Sequence, residues 1–323
     1  MNEKINIVLN EMSEYLSLSQ MKKLQEVILR EFAENSIDKS DITNIGYVER
    51  FIEAKKIEGC SARTLQYYKS TLDHFLKINE STQVRKITTE DIRSYLTSYQ
   101  QINNCSNVTI DNIRRNLSSF FSWLEEEDYI LKSPMKRIHK IRTKKAVKNV
   151  ISDEAMENLR DGCNNLRDLA ILDLLYSTGM RVGELVNLNI DDIDFEEREC
   201  VVYGKGDKER RVYFDAKAKV HLKKYIDTRN DDNEALFVTL DAPHSRLKIS
   251  GVEIRLRQLG RELNLDRIHP HKFRRTMATR AIDKGMPIEQ VQKILGHSQI
   301  DTTMQYAMVN QSNIKISHQK FMS

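Results

Sequence analysis

Residues 166–185, LRDLAILDLLYSTGMRVGEL, contain the pattern that decides the fold of the second half of the chain. Residues 166–178 are apolar almost all round, which predicts a helix in the centre of a domain. Gly179 is suited to ending that helix, and Arg181 follows near the start of the next one. There its guanidinium can meet an anion beside free backbone N–H groups, with Glu184 holding it in place. A plain ion pair at a helix start is the alternative.

Further along the chain, the spacing of the apolar residues changes from that of a helix to that of a strand. ECVVY and RRVYF flank the turn 204–208, GKGDK, and together predict a β-hairpin. Glycines on both sides of Lys205 let the backbone approach a ligand closely. A lysine on such a tip can deliver a proton to a leaving alkoxide, although a solvated turn lysine is the common alternative.

A third segment, PHKFR at 270–274, predicts a helix that starts with a proline. His271 and Arg274 are three residues apart and share one face of that helix, while Phe273 points to the core. An imidazole and a guanidinium are thereby presented together. The alternative is an ordinary helix start at the surface.

A fourth segment, ILGHSQIDTTMQY at 294–306, contains a predicted helix end. Gly296 fits the position after the helix, and His297 leaves the helix there. Tyr306 lies nine residues after His297, on the next predicted helix. For a tyrosine with apolar neighbours, a core position is the usual alternative.

Together these segments supply what attack on a phosphodiester without a metal requires. A tyrosine oxygen is the nucleophile and forms a covalent phosphotyrosine. Arginine and histidine stabilise the charge on the non-bridging oxygens, and lysine protonates the departing 5′ oxygen. Because an ester bond is preserved, neither ATP nor any cofactor is expected. The predicted catalytic residues are Arg181, Lys205, His271, Arg274, His297 and Tyr306.

A two-metal mechanism would instead need clustered carboxylates. Asp191, Asp192 and Asp194 do cluster, but they fall at a predicted helix-to-strand turn. We expect them on a surface loop and predict no metal site.

The first half of the chain has few residues that interrupt helices. Only two of eleven glycines and none of four prolines precede Pro134, so the first 133 residues are predicted to be almost wholly helical. Residues 61–77 and 108–125 carry apolar side chains at helical spacing. We expect a bundle of four or five helices over 45–128, and one or two further helices over 1–36.

A basic segment follows. Residues 136–148, KRIHKIRTKKAVK, hold seven Lys or Arg and no acid. Like charges at this density stay extended unless an anion neutralises them, so a linker lying along phosphates is expected. A solvated surface run is the alternative.

The overall composition is that of a globular protein, with 40% apolar and 30% charged residues. A net charge of +4 is only weak evidence for a nucleic-acid partner. No apolar run reaches 18 residues, and acids interrupt the apolar start of the chain, so neither a membrane span nor a secretory signal is expected. The spacing of the cysteines favours neither a zinc site nor disulfides, and a cytoplasmic location is expected. The cysteines are Cys60, Cys105, Cys163 and Cys200.

The four segments resemble, in order, the motifs of the tyrosine site-specific recombinases, the phage integrase and Xer family. STGMRVGEL resembles the first-arginine box, and GKGDKERRV resembles the lysine hairpin. HPHKFRRTMAT resembles the His-x-x-Arg box, and LGHSQIDTTMQY resembles the closing box with the nucleophile. The family often has histidine directly after the box arginine. This chain has Arg275 there, which we expect to contact phosphate without a catalytic role.

SARTLQYYKSTLDHFL and NIRRNLSSFFSWLEEEDYI resemble the family's SAM-like core-binding domain, so the resemblance covers about 45 to 310. It implies a mainly α fold with a small antiparallel β-sheet: a SAM-like helical bundle and an α+β catalytic domain, forming a C-shaped DNA clamp. It also implies a tetramer on two paired sites of double-stranded DNA, with the segment after Tyr306 packed on a neighbouring protomer. A directionality factor or a second recombinase is a further candidate partner. The predicted divisions are 1–44 for a helical extension, 45–130 for the core-binding domain, 131–150 for the basic linker and 151–323 for the catalytic domain.

Contacts to DNA outside the catalytic set are expected from exposed basic and hydroxyl side chains. These are Arg63, Thr64, Lys69, Arg114, Arg115, Lys136, Arg137, Lys140, Arg142, Lys144, Lys145, Lys208, Arg210 and Arg275.

The implied function is site-specific recombination through a Holliday junction. The extra amino-terminal helices favour integration or excision of a mobile element, or inversion of a DNA segment. Residues 1–44 show no strand-rich arm-binding pattern, which disfavours a lambda-like two-site architecture. The alternatives are Xer-type dimer resolution, a type IB topoisomerase that relaxes DNA as a monomer, and an inactive DNA-binding accessory protein.

Overall fold

The computed structural model of this chain describes residues 2–34, 42–143, 149–204 and 209–304. The chain divides into two compact units, Met1–Lys145 and Ala146–Ser323. Within the described ranges, no helix combines the length and the apolar character that a membrane span needs.

The first unit is helical throughout its described regular structure, as predicted. Its helices are α1 (Asn2–Ser13), α2 (Leu18–Glu34), α3 (Asn44–Ile57), α4 (Ala62–Ile78), α5 (Thr89–Asn103) and α6 (Asn107–Glu126), with short 3₁₀ turns at Val84–Lys86 and Pro134–Arg137. Side-chain caps fix the helix starts: Ser61 accepts from the Thr64 amide, and Thr88 and Asp91 form a reciprocal capping box.

Aromatic side chains form the core of this unit where α3, α4 and α6 meet. Phe51, Phe75, Phe120 and Phe121 are all fully buried. Phe51 meets Phe120 edge to face with 5.4 Å between the ring centroids. The described part of residues 45–128 therefore contains a bundle of four α-helices, α3 to α6, within the predicted range.

The second unit is mainly helical with one small sheet. Its helices are α7 (Asp153–Asp161), α8 (Leu166–Thr178), α9 (Val182–Asn187), α10 (Ala216–Asp227), α11 (Ile249–Glu262), α12 (Pro270–Asp283), α13 (Ile288–Leu295) and α14 (Ile300–Met304). The strands are β1 (Ile193–Asp194), β2 (Glu199–Tyr203) and β3 (Glu209–Tyr213), in antiparallel order β1-β2-β3. Val201 pairs with Arg211, so the predicted hairpin strands are confirmed.

Helix α8 is central, as its apolar sequence predicts. It packs against α10 and α12, and Leu172, Leu174 and Leu175 are fully buried. The same helix also buries carboxylates. Asp173 accepts from Arg160 Nε at 2.7 Å, and Asp168 from Arg255 Nε at 2.5 Å. Burial of these acids is tolerated because each is paired.

The acidic cluster lies on a surface turn, where the sequence predicts it. Asp191, Asp192 and Asp194 are exposed. Asp192 accepts from the Asn189 amide at 2.7 Å, and Asp194 accepts from the amides of Glu196 and Glu197. Asp192 thereby orders the turn before β1, and Asp194 orders the turn that follows it.

Candidate active site

Three chain segments converge in the second unit: the junction of α8 and α9, the start of α12, and the end of α13. Both helices that end here do so at a glycine with left-handed backbone, Gly179 at φ +63° and Gly296 at φ +62°. A Cβ on Gly179 would meet Met277 Cε, but that methyl is the flexible end of its side chain, so the positive φ is the reason for glycine here.

Arg181 is the N-cap residue of α9 and reaches across to the end of α13. Its Nη1 donates to Glu184 Oε1 at 2.9 Å, and its Nη2 donates to the Gly296 carbonyl at 3.3 Å. Its backbone amide donates to Glu184 Oε2 at 2.7 Å. The Arg181 side chain keeps 36% of its surface exposed, whereas that of Glu184 keeps 4%. Glu184 is thus a buried acceptor and Arg181 an accessible cation.

Arg274 lies on α12 with only 3% of its surface exposed. Its Nη1 donates to the Gly179 carbonyl at 2.8 Å, and its Nη2 donates to the Leu295 carbonyl. The same Nη2 lies 3.0 Å from His297 Nε2. Arg274 therefore connects the end of α8, the end of α13 and the imidazole that follows α13.

The tautomer of His297 follows from these contacts. Arginine only donates, so Nε2 of His297 is the acceptor and Nδ1 carries the proton. That Nδ1 lies 2.8 Å from Oγ1 of Thr303, a fully buried residue of α14. Burial, with the positive charges of Arg274, Arg181 and Arg210, lowers the pKa of His297 to about 4. The ring is neutral at pH 7.

His271 lies one helical turn before Arg274 on α12. The residue is exposed, but its ring is partly desolvated by its neighbours. This desolvation, followed by the charges of Arg274, Arg181 and Arg275, lowers the pKa of His271 below its usual value. Arg274 and Arg181 act on both His297 and His271, so the site combines two guanidiniums with two neutral imidazoles.

Some predicted site residues fall outside the described ranges. They are Lys205, Tyr306, Lys208, Lys144 and Lys145. Their roles stay predictions. Direct hydrogen bonds join Arg181 to Glu184 and Arg274 to His297, and both arginines also donate to carbonyls at the end of α13. His271 is linked to the two arginines electrostatically.

Among the predicted DNA contacts, many side chains of the first unit are exposed. These are Arg63, Thr64, Lys69, Arg115, Lys136, Arg137, Lys140 and Arg142. Lys136 forms an ion pair with Glu125. In the second unit, Arg275 Nη1 donates to the Asn149 carbonyl at 3.0 Å.

Two of the predicted DNA contacts have mostly buried side chains that pair within the protein. The Arg114 side chain is 13% exposed and donates from Nε to Asp111 at 2.8 Å. Arg210 is 11% exposed and binds Glu184 through both Nη atoms. Both guanidiniums neutralise a buried carboxylate inside their own unit, so neither is an accessible cation for phosphate.

Sequence reasoning missed the roles of Arg210 and Thr303. A signal for Arg210 existed, because it stands two residues before the buried Val212 and so shares its inward face of β3. For Thr303 there was none, since a threonine on a short helix has no pattern that points to an imidazole.

These features, a SAM-like helical unit and a second unit with clustered Arg and His side chains, define the class of protein. The chain belongs to the phage integrase family. The model of the phage integrase family matches residues 137–313, and that of the phage integrase N-terminal SAM-like domain matches residues 47–131. The prediction of a tyrosine recombinase is confirmed.

Similar curated proteins are named tyrosine recombinase XerC. The one from Oceanobacillus iheyensis is 31% identical over 294 residues, which cover 85% of this chain and 95% of that protein. The one from Leptospira interrogans is 33% identical over 286 residues, covering 84% and 91%.

Two solved structures share the fold. The Tn1549 transposon integrase in complex with circular intermediate DNA superposes with a TM-score of 0.70 at 18% identity, over 87% of this chain and 99% of that one. The XerH recombinase bound to a palindromic difH substrate superposes with a TM-score of 0.68 at 20% identity, over 98% and 94%. The predicted mainly α fold with a small antiparallel sheet is thereby confirmed.

Proposed function

We propose that this chain recombines specific DNA sites by cutting and rejoining strands through a 3′-phosphotyrosine. The observation that carries the proposal is the cluster of Arg181, Arg274, His271 and His297, in which both imidazoles have a lowered pKa. Two fixed guanidiniums suit the negative charge of a phosphorane, and fixed donors stabilise such a charge without reorganising.

In the proposed cleavage step, the Tyr306 oxygen bonds to the scissile phosphorus and the bond from phosphorus to the 5′ oxygen breaks. His271 takes the phenolic proton, since a neutral imidazole is a base near pH 7. Lys205 gives a proton to the departing 5′ oxygen. The number of phosphate ester bonds is unchanged, so attack by another 5′ hydroxyl on the phosphotyrosine rejoins DNA by the reverse route.

The first unit is proposed to bind duplex DNA beside the cleavage point. Exposed Arg63 and Lys69 on α4 and Arg115 on α6 supply cations for phosphate contacts. Support comes from the XerH and Tn1549 structures, which were determined with DNA. Paired sites, a tetramer, exchange of the carboxyl-terminal segment between protomers and a Holliday junction follow from the same family likeness.

The proposed biological role is integration or excision of a mobile element, or inversion of a DNA segment. It rests on the helices α1 and α2, which precede the match to the SAM-like domain at residue 47. Resolution of chromosome or plasmid dimers is the second candidate, because the curated relatives named above are XerC recombinases.

Covalent trapping tests the proposed chemistry without knowledge of the target sequence. The full chain is incubated with a nicked duplex library of random sequence, and the mixture is then denatured. The protein–DNA adducts are purified, and the DNA in them is sequenced. One sequence should be enriched, and it is called the selected duplex below. Two copies of it should yield recombinant product. Absence of adduct contradicts the proposal, and relaxation of any plasmid without recombinant product indicates a topoisomerase.

Lys205→Ala tests the general acid. We expect this variant to cleave the selected duplex about 100-fold more slowly than wild type, within the usual range for loss of an acid catalyst. When sulfur replaces the 5′-bridging oxygen at the scissile phosphate, the two proteins should cleave at similar rates, because a thiolate leaves without a proton. Single-turnover adduct formation measures both rates. Equal slowing on both substrates would remove Lys205 from this role.

The basic linker is tested by the salt dependence of binding. Replacing Lys136, Arg137, Lys140 and Arg142 with glutamine should weaken binding to the selected duplex. The plot of log K against log salt has a negative slope. The magnitude of this slope should decrease by about 0.9 for each phosphate that the variant no longer neutralises. The control replaces the exposed Lys22 and Lys23 of α2 and should leave the slope unchanged. An unchanged slope in the linker variant would show that the linker does not touch DNA.

A further inference from the structure

Three arginines hold the last turn of α13. Its final carbonyl oxygens each accept from a different one: Ile294 from Arg210, Leu295 from Arg274 and Gly296 from Arg181. The last carbonyls of a helix have no donor within the helix and lie at its negative end, so cations stabilise them. Two of these arginines belong to the candidate catalytic cluster. The third has no part in the cleavage step described above.

The guanidinium of Arg210 is satisfied inside the protein. Its Nε donates to the Ile294 carbonyl at 2.8 Å, and its Nη1 and Nη2 donate to the two oxygens of Glu184 at 2.7 and 2.6 Å. Gly296 makes this approach feasible, because a Cβ there would lie 2.9 Å from Arg210 Cδ. Arg210 thus joins β3, α9 and the end of α13 through one planar group.

Glu184 is shared between two cations. Its Oε1 accepts from Arg181 as well as from Arg210, at 2.9 and 2.7 Å. Burial of the carboxyl tends to raise its pKa, but hydrogen bonds from Arg210 and Arg181 outweigh this and hold the pKa of Glu184 below its usual value. With two guanidiniums and one carboxylate, a net positive charge remains. If Arg181 were the only cation paired with Glu184, the carboxylate would cancel the positive charge of Arg181.

We propose that Arg210 is a positioning residue for strand cleavage: it satisfies Glu184 and ties that carboxylate to the end of α13, so that the guanidinium of Arg181 stays aligned and its charge remains available to the scissile phosphate. The inference rests on the proposed function. It gives Arg210 no contact with DNA and places its effect on the rate of cleavage.

Arg210→Ala is expected to form the covalent adduct on the selected duplex about 30-fold more slowly than wild type, with DNA affinity within about threefold. The cleavage rate of Arg210→Lys should lie between those of wild type and Arg210→Ala, because an ammonium keeps the charge but lacks the planar group that reaches two acceptors. Arg211→Ala is the matched control. Arg211 is the next residue of β3, its side chain is 63% exposed and it pairs with Glu199, so the cleavage rate should not change.

A double mutant separates positioning from packing. If Arg210 acts through Glu184, adding Arg210→Ala to Glu184→Gln should slow cleavage by less than about threefold beyond Glu184→Gln alone. If Arg210→Ala instead causes an independent packing defect, the reductions in cleavage rate from Arg210→Ala and Glu184→Gln should multiply in the double mutant. Thermal unfolding of each variant shows that the compared proteins are folded, and Arg210→Lys decides the matter if Arg210→Ala does not fold.

Three results would overturn the inference: cleavage at the wild-type rate by Arg210→Ala or by folded Arg210→Lys, full multiplication of losses in the double mutant, or a loss confined to DNA affinity. A loss confined to DNA affinity would indicate that Arg210 contacts DNA, as the sequence predicts. Failure of the proposed function itself looks different, because wild type would then form no adduct.

Discussion

Tyr306→Phe is expected to abolish the covalent protein–DNA adduct while DNA binding continues. Only the hydroxyl is lost, and the proposed reaction has no other nucleophile, so adduct formation should fall by at least about 10⁴-fold. Affinity for the selected duplex, measured by mobility shift, should stay within about twofold of wild type, because one hydroxyl contributes little to an interface dominated by phosphate contacts.

Tyr213→Phe is the control, since Tyr213 is an exposed tyrosine on β3 and should be dispensable for cleavage. Peptide mapping of the wild-type adduct should place the nucleotide on Tyr306. An adduct on another side chain, or cleavage by Tyr306→Phe, would show that the nucleophile is misassigned. Loss of wild-type cleavage on chelation of divalent ions would contradict the metal-free chemistry.

The sequence predicted those parts of the fold that depend on local rules. Gly179 and Gly296 were expected to end helices, and both have the left-handed backbone that glycine adopts without strain. The hairpin of β2 and β3 followed from strand periodicity around a glycine turn. Such features depend on neighbouring residues, so a single sequence is enough to find them.

Ion pairs between side chains on different helices could not be predicted from the sequence. The apolar pattern of α8 correctly predicted a central helix, but it gave no hint that Asp173 and Asp168 are buried there. Two of their partners, Arg160 and Arg255, come from α7 and α11, and no local pattern specifies which helices meet. A buried carboxylate is understandable only once its partner in space is known.

The same limit explains the candidate site. Motif spacing predicted Arg181, His271 and His297 beside helix boundaries that the sequence marks, and Arg274 by its position three residues after His271. Arg210 was placed among the DNA contacts. The structure instead places Arg210 against Glu184, since the alternation of β3 turns it inward.

Arg274→Ala is expected to reduce cleavage of the selected duplex by about 10³-fold, as loss of one fixed donor to a developing charge does in other enzymes. Stability should fall too. The carbonyls of Gly179 and Leu295 and Nε2 of His297 would lose a buried donor. Urea unfolding of the free protein should show a loss of about 2 to 4 kcal/mol.

Chemistry and stability are separated by changing the substrate instead of the protein. A methylphosphonate at the scissile position replaces one charged oxygen by a methyl group, so the transition state needs less positive charge. Arg274→Ala should therefore be far less impaired, relative to wild type, on this substrate than on natural DNA. A purely structural defect would reduce cleavage of both substrates by the same factor.

Arg280→Ala is the matched control on the same helix. Arg280 is three-tenths exposed, pairs with Asp153 and lies over the Tyr176 ring, with 5.2 Å from its guanidinium carbon to the ring centroid. Its loss should leave cleavage of both substrates unchanged. If Arg280→Ala slowed cleavage as much as Arg274→Ala, α12 would act through its overall stability, and the guanidinium of Arg274 would have no separate part in stabilising the phosphorane.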